Sequence, residues 1–384
     1  MNKITAINNH NQISTRELEK LLRLQLTSLW EKKCPASLLP PLMVWGAPGL
    51  GKSSIIRELA REYGVGFLDV RLAQREPVDI RGLPVPDKDG VKWLVSSEWP
   101  RESGSRGIIL FDELTAADRS LQVAAYELIL DRRLGDLYSV PEGWYICAAG
   151  NRTEDRAVAT SMSSALANRF LHVELQSDVE CWVHWAIAHD VHPITVGFLR
   201  ARPELLFTQK DQNLERGWPS PRSWERVSSM LKLIGNRDMR MLHSIVNGLV
   251  GNQAGVEFMA FLEVSESLED VYQIMINPKA KFTLSRKADR IYAFCSAMVY
   301  HLWRGQTDKQ AQTLLDGFFR LSMSLPSSFA AMSMIDAIGE NDARAEKLFK
   351  HPQYKDWAEL HGAAFKNRLA GNVQAESKPA AKTA

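Results

Sequence analysis

Leu42-Met43-Val44-Trp45-Gly46-Ala47-Pro48-Gly49-Leu50-Gly51-Lys52-Ser53 decides the fold. Four apolar residues run into a glycine-rich turn, and residues 52–63 then carry a helical pattern that Gly64 stops. So short an apolar run, bounded by turn signals, predicts a buried strand. The turn between strand and helix matches the phosphate-binding loop pattern. Glycines let the backbone curl until successive N–H groups converge on an oxygen anion, and the helix adds the positive end of its dipole. The candidate nucleotide-binding residues are therefore Gly46, Ala47, Pro48, Gly49, Leu50, Gly51, Lys52, Ser53 and Ser54. Lys52 is expected to reach the β and γ phosphates and Ser53 to ligate magnesium, which makes ATP and Mg2+ the expected cofactors.

Outward from this stretch, strand-like runs recur at 66–70, 107–112, 144–149 and 171–175, with helical patterns between several of them. Such alternation predicts an α/β domain with a parallel sheet covered on both faces. Ser14 with Glu17 three residues on reads as a capping box, opening a helix through Leu18, Leu21, Leu22, Leu26 and Leu29. Residues 81–100, rich in turn signals and with a strand at 91–95, read as an inserted hairpin.

Several of these strands end in polar residues that a parallel sheet delivers to its ligand crevice. The run Ile108-Ile109-Leu110-Phe111 ends in Asp112, expected in the magnesium shell, and Glu113, expected to polarise the attacking water. Asn151 closes the next strand and would orient that water against the γ phosphate. Arg169 precedes the last strand, and Arg222, in Ser220-Pro221-Arg222, opens a later helix with Pro in its first turn. A guanidinium beside the γ phosphate stabilises charge that develops during transfer.

In this order the phosphate loop, the Asp-Glu strand end, the strand-end Asn, the Arg-Phe and the Ser-Pro-Arg resemble the AAA+ ATPases, specifically the MoxR group, over residues 38–235. The resemblance implies a P-loop NTPase core with sheet order 5-1-4-3-2, an all-α lid and a ring, usually hexameric, with ATP between neighbours. Within it Lys52 and Ser53 match Walker A, and Asp112 and Glu113 match Walker B. Asn151 matches sensor 1, Arg169 the arginine finger that acts on the neighbouring subunit, and Arg222 sensor 2. The insertion at 81–100 and the segment 132–144 look like the group's pore-facing hairpins. Asn151-Arg152 and Asn168-Arg169 stand where Asn-Pro and Asp-Arg are commoner in the group.

The expected organisation is an N-terminal helical segment at 1–37, the nucleotide-binding domain at 38–176, a helical lid at 177–276, a C-terminal helical region at 277–371 and a disordered tail at 372–384. A linker is expected at 277–282. With 47 basic against 45 acidic residues, the net charge of +2 gives no reason to presume a polyanionic partner. The resemblance implies a chaperone-like machine that remodels protein clients, typically with a von Willebrand factor A domain partner, here a separate chain. Nucleic acid is expected to be an unlikely partner, and a nucleic-acid motor or loader is the rival reading. Four dispersed cysteines without zinc or redox spacing, and no apolar run of membrane-spanning length, lead to an expected cytoplasmic location with no membrane span.

Overall fold

The computed structural model describes residues 11–88, 90–152, 162, 164–208, 216–235, 238–266, 270–280 and 282–375. The chain divides into two compact units, Met1–Ser177 and Asp178–Ala384.

The first unit comprises β1 (Gln12–Ile13), α1 (Thr15–Trp30), β2 (Leu42–Trp45), α2 (Lys52–Glu62), β3 (Gly66–Arg71), α3 (Pro77–Arg81), β4 (Leu83–Asp87), β5 (Gly90–Leu94), β6 (Gly107–Asp112), α4 (Arg119–Leu130), β7 (Arg133–Leu134), β8 (Tyr138–Ser139), β9 (Trp144–Gly150), α5 (Ser164–Ala167) and β10 (Leu171–Leu175). Six strands pair in parallel in the order β1-β10-β2-β9-β6-β3. Counted from β2, the five long strands follow the expected order 5-1-4-3-2, so this unit is the α/β P-loop core. All seven residues of β9 are buried, because the strand lies between β2 and β6 with both faces covered.

The sequence reading did not include β1. Two residues of a polar stretch carry no periodicity, and pairing alone makes them a strand, Gln12 opposite Glu174 and Ile13 opposite Leu175. The capping box that follows them is present: the Ser14 N–H donates to Glu17 Oε2 at 2.7 Å, and the Glu17 N–H to Ser14 Oγ at 3.3 Å. It turns the chain into α1, which buries Leu18, Leu22 and Leu26. On one side of the sheet Met43, Ile109, Phe111 and Ile146 pack with Leu121, Ala125 and Leu128 of α4. Two antiparallel ribbons, β4-β5 and β7-β8, stand apart from the main sheet.

The second unit contains α6 (Val179–Ala188), α7 (Pro193–Ala201), α8 (Pro221–Ile234), α9 (Met239–Val250), α10 (Asn252–Glu266), α11 (Val271–Ile276), α12 (Ala288–Leu302), α13 (Asp308–Ser322), α14 (Ser327–Ile338), α15 (Asp342–Phe349) and α16 (Tyr354–Ala375). The sequence carries one helical pattern over 239–261, and the structure breaks it into two helices where Gly251 takes φ 81°. Phe282, within the stretch read as a linker, stacks on Phe294 with ring centroids 4.8 Å apart. The last helix runs to Ala375, four residues into the stretch expected to be disordered, and residues 376–384 lie outside the described ones.

Trp224 anchors the start of this unit. It is fully buried, its ring centroid lies 5.2 Å from that of Phe198 and 5.5 Å from that of Phe258, and its indole N–H donates to the Leu205 carbonyl at 2.7 Å. Truncation removes a large apolar surface and leaves that carbonyl without its donor. Trp224→Ala is expected to cost about 3–5 kcal/mol, read from the denaturant midpoint of the helical unit's transition. A change under about 1 kcal/mol would show that this packing contributes little.

Candidate nucleotide-binding site

The loop between β2 and α2 is shaped by its glycines. Gly49 and Gly51 take φ of 90° and 93°, values that L side chains rarely adopt, and Gly51 is the N-cap of α2. From the first helical position the Lys52 side chain folds back under the loop. Its ammonium donates to the Gly46 carbonyl, to the Ala47 carbonyl at 3.1 Å and to the Asn151 side-chain oxygen at 3.0 Å. Lys52 is only 8% exposed, so a buried cation sits where the loop meets the end of β9. Ser53 Oγ donates to Asp112 Oδ2 at 2.6 Å, joining the start of α2 to the end of β6. Pro48 is partly buried, Ala47 and Leu50 are buried and Ser54 is exposed on α2.

The chain changes direction sharply after Asp112. Glu113 takes φ 56° and ψ 32°, left-handed for a residue with a side chain, and its N–H donates to Asp112 Oδ1 at 2.9 Å. Its carboxylate is exposed at the C-terminal edge of the sheet. Such a backbone persists only where its surroundings hold it. Here Leu114 and Thr115 are buried on either side of the turn. Gln122, buried on α4, donates to the carbonyls of Leu114 at 3.3 Å and Ala117 at 3.2 Å.

Thr115 and Gln122 are the residues that the sequence reading missed. Thr115 Oγ1 donates to the Asn151 carbonyl at 3.1 Å and accepts the Asn151 N–H at the same distance. One hydroxyl thus fixes the backbone of the residue whose side chain holds Lys52. The preceding Gly150 is required by the same contact, since a Cβ there would stand 2.9 Å from Thr115 Oγ1 and 2.7 Å from Met43 Cε. A hydroxyl two residues beyond Glu113 was the available signal, but only the neighbouring strand shows what it bonds.

The structure therefore brings Lys52, Ser53, Asp112 and Asn151 together, with Glu113 at the same sheet edge. Arg169 is not among them. Arg169 lies in the turn between α5 and β10, with its side chain 59% exposed and 3.6 Å from Asp131. Arg222 is exposed near the start of α8 in the second unit. There Ser220 Oγ accepts the Ser223 N–H at 3.2 Å and Pro221 fills the first turn, so capping and Trp224 set the helix start and leave Arg222 outward. Arg152, which follows Asn151, pairs with Glu174 of β10.

Residues 41–170 match the family model described as an AAA domain of the dynein-related subfamily. Among solved structures, a RuvB mutant from Thermotoga maritima shares 16% identity over 81% of this chain and 96% of its own, with a TM-score of 0.38. The Thermotoga maritima RuvB titled a Holliday junction branch migration motor shares 16% identity over 78% and 94%, with a TM-score of 0.36. NtrX from Brucella abortus shares 15% over 86% and 67%, also at 0.36. The first two correct the expectation that nucleic acid is an unlikely partner, because a nucleic-acid motor stands among the similar chains. The expectation rested on net charge, which sums the whole surface and does not describe a local face. Among the described residues no helix is long and apolar enough to cross a membrane.

Thr115 acts on Asn151 rather than on a ligand, so its removal has a distinct signature. Thr115→Val keeps the shape but leaves the Asn151 N–H and carbonyl unpaired. Its kcat for ATP hydrolysis is expected to fall up to about 100-fold with little change in ATP affinity, and Thr115→Ser is expected to restore the rate. A parent-like rate in Thr115→Val, with the loss found in Thr115→Ser instead, would assign Thr115 to packing alone.

Proposed function

From an AAA ATPase domain at residues 41–170, which makes the chain an ATP-hydrolysing enzyme, we propose that it is the subunit of a ring motor that binds ATP with magnesium and drives a macromolecule. The observation that carries this reading is the convergence of Lys52, Ser53, Asp112 and Asn151 at one sheet edge beside Glu113. A buried ammonium, the start of a helix and a hydroxyl beside a carboxylate suit phosphates and a hard, oxygen-ligated cation. A bound magnesium would neutralise charge that develops on the phosphates.

Ser53 and Asp112 would hold that cation. Lys52 would compensate the phosphate charge, and its bonds to Gly46 and Asn151 already aim it along the loop. Glu113 would take the proton of the attacking water, with Asn151 positioning that water. Arg169, exposed and away from its own loop, would serve a neighbouring subunit, and Arg222 would be supplied by the helical unit.

Two client classes have separate support. A nucleic-acid motor is the reading favoured by the similar chains, since RuvB is titled a branch migration motor. A protein-remodelling machine of MoxR type, with a von Willebrand factor A protein, rests on the order of sequence motifs and on ribbon β4-β5. In its register Pro84 opposes Trp93 and Pro86 opposes Val91, an exposed face without charge. Phosphate backbones are held by Lys and Arg, whereas such a face suits apolar polypeptide.

Glu113→Gln is expected to bind ATP like the parent and to lose at least about 100-fold in turnover. Hydrolysis at the parent rate would remove Glu113 from the chemistry. Mixing Glu113→Gln with Arg169→Ala subunits is expected to restore part of the activity, because each supplies what the other lacks. Failure, with mixed assembly shown, would place the arginine outside a shared site. For the client, Glu113→Gln held in ATP is used for capture with and without nuclease. Capture of nucleic acid, with ATPase stimulation that falls steeply with salt, supports the motor on nucleic acid. Nuclease-resistant capture of protein supports remodelling.

A further inference from the structure

The helical unit contains a cleft of about 270 Å3 that lies wholly within residues 187–344 and takes no part in the nucleotide site. Its floor is apolar, formed by Ile187, Val191, Val196 and Val299, and its wall is aromatic, formed by Tyr300 and Trp303. Each ring carries an arginine: Arg304 lies 3.7 Å from the Tyr300 centroid and Arg344 lies 5.4 Å from that of Trp303. Both arginines line the cleft.

Charge at this rim does not balance. Asp190, left-handed at φ 59°, is the one carboxylate of the lining, and it is already held by Lys232 at 2.7 Å and by Arg304. Among the described residues no carboxylate pairs with Arg344, whose backbone N–H caps on Asn341 while its guanidinium stays over Trp303. Deeper in, Ser296 lines the cleft, 7% exposed, with an Oγ that has no hydrogen-bond partner.

We propose that this cleft binds a small amphipathic anion, an aromatic or short-chain carboxylate. Its apolar body lies on the valine floor between the two rings, and its carboxylate meets Arg344. The surplus cation selects the charge, and the apolar floor selects against small inorganic anions. Such a site shares no residue with the P-loop and offers the chain a second ligand of a different class.

Fluorobenzoate and the isosteric neutral fluorobenzyl alcohol, titrated into the full chain and followed by fluorine NMR, test this directly. The acid is expected to bind at least about tenfold more tightly than the alcohol. Arg344→Glu and Arg344→Gln are each expected to weaken the acid by about tenfold while leaving the alcohol and the melting temperature unchanged. Saturating ATP should not displace the acid. Equal binding of acid and alcohol, parent-like affinity in both Arg344 variants, displacement by ATP, or no binding at millimolar acid would each overturn the proposal.

Discussion

The Lys52 ammonium is the point on which the nucleotide site depends. Burying a cation is costly unless polar groups surround it, and the carbonyls of Gly46 and Ala47 and the amide oxygen of Asn151 supply that shell. Those groups belong to the loop after β2 and to the end of β9, which are neighbouring strands. One side chain therefore ties the glycine turn to the sheet edge.

A second tie runs along the same edge. Ser53 meets Asp112, and Thr115 meets Asn151, so α2, β6 and β9 are joined by short polar contacts at their ends. Between the two ties Glu113 is held in a left-handed conformation, with Gln122 bracing the carbonyls that follow. The strained residue is the one whose carboxylate must stand clear of the strand. A buried glutamine on α4 and a buried threonine in the turn maintain that exposure, which explains why neither is replaceable by a purely apolar residue without exposing an unpaired backbone group.

The helical unit is built on different physics. Its clusters around Trp224 and around Phe318 are apolar, while Arg200 of α7 and Asp336 of α14 form a buried ion pair at 2.6 Å. Asp190 shares two cations at the turn between α6 and α7, which leaves the cleft rim positive although the chain as a whole is nearly neutral.

Much of the first unit was legible because its signals are local. Apolar runs bounded by turn residues located β2, β6 and β10 to the residue, and the loop pattern with its flanking strand and helix identified the nucleotide site. Ser14 and Glu17 announced α1 because a capping box is complete within four residues. Features that depend on a distant partner stayed hidden. β1 is a strand only because β10 offers it an edge, and Thr115 positions Asn151 only because β6 and β9 are adjacent. The break at Gly251 lay inside a continuous helical pattern. Sequence by itself thus determined the order of elements and the phosphate loop, since residue type and spacing within one element suffice for them. Tertiary structure decided what braces Glu113 and Asn151, and which residues line the cleft with Arg344, because only the packing brings those residues together.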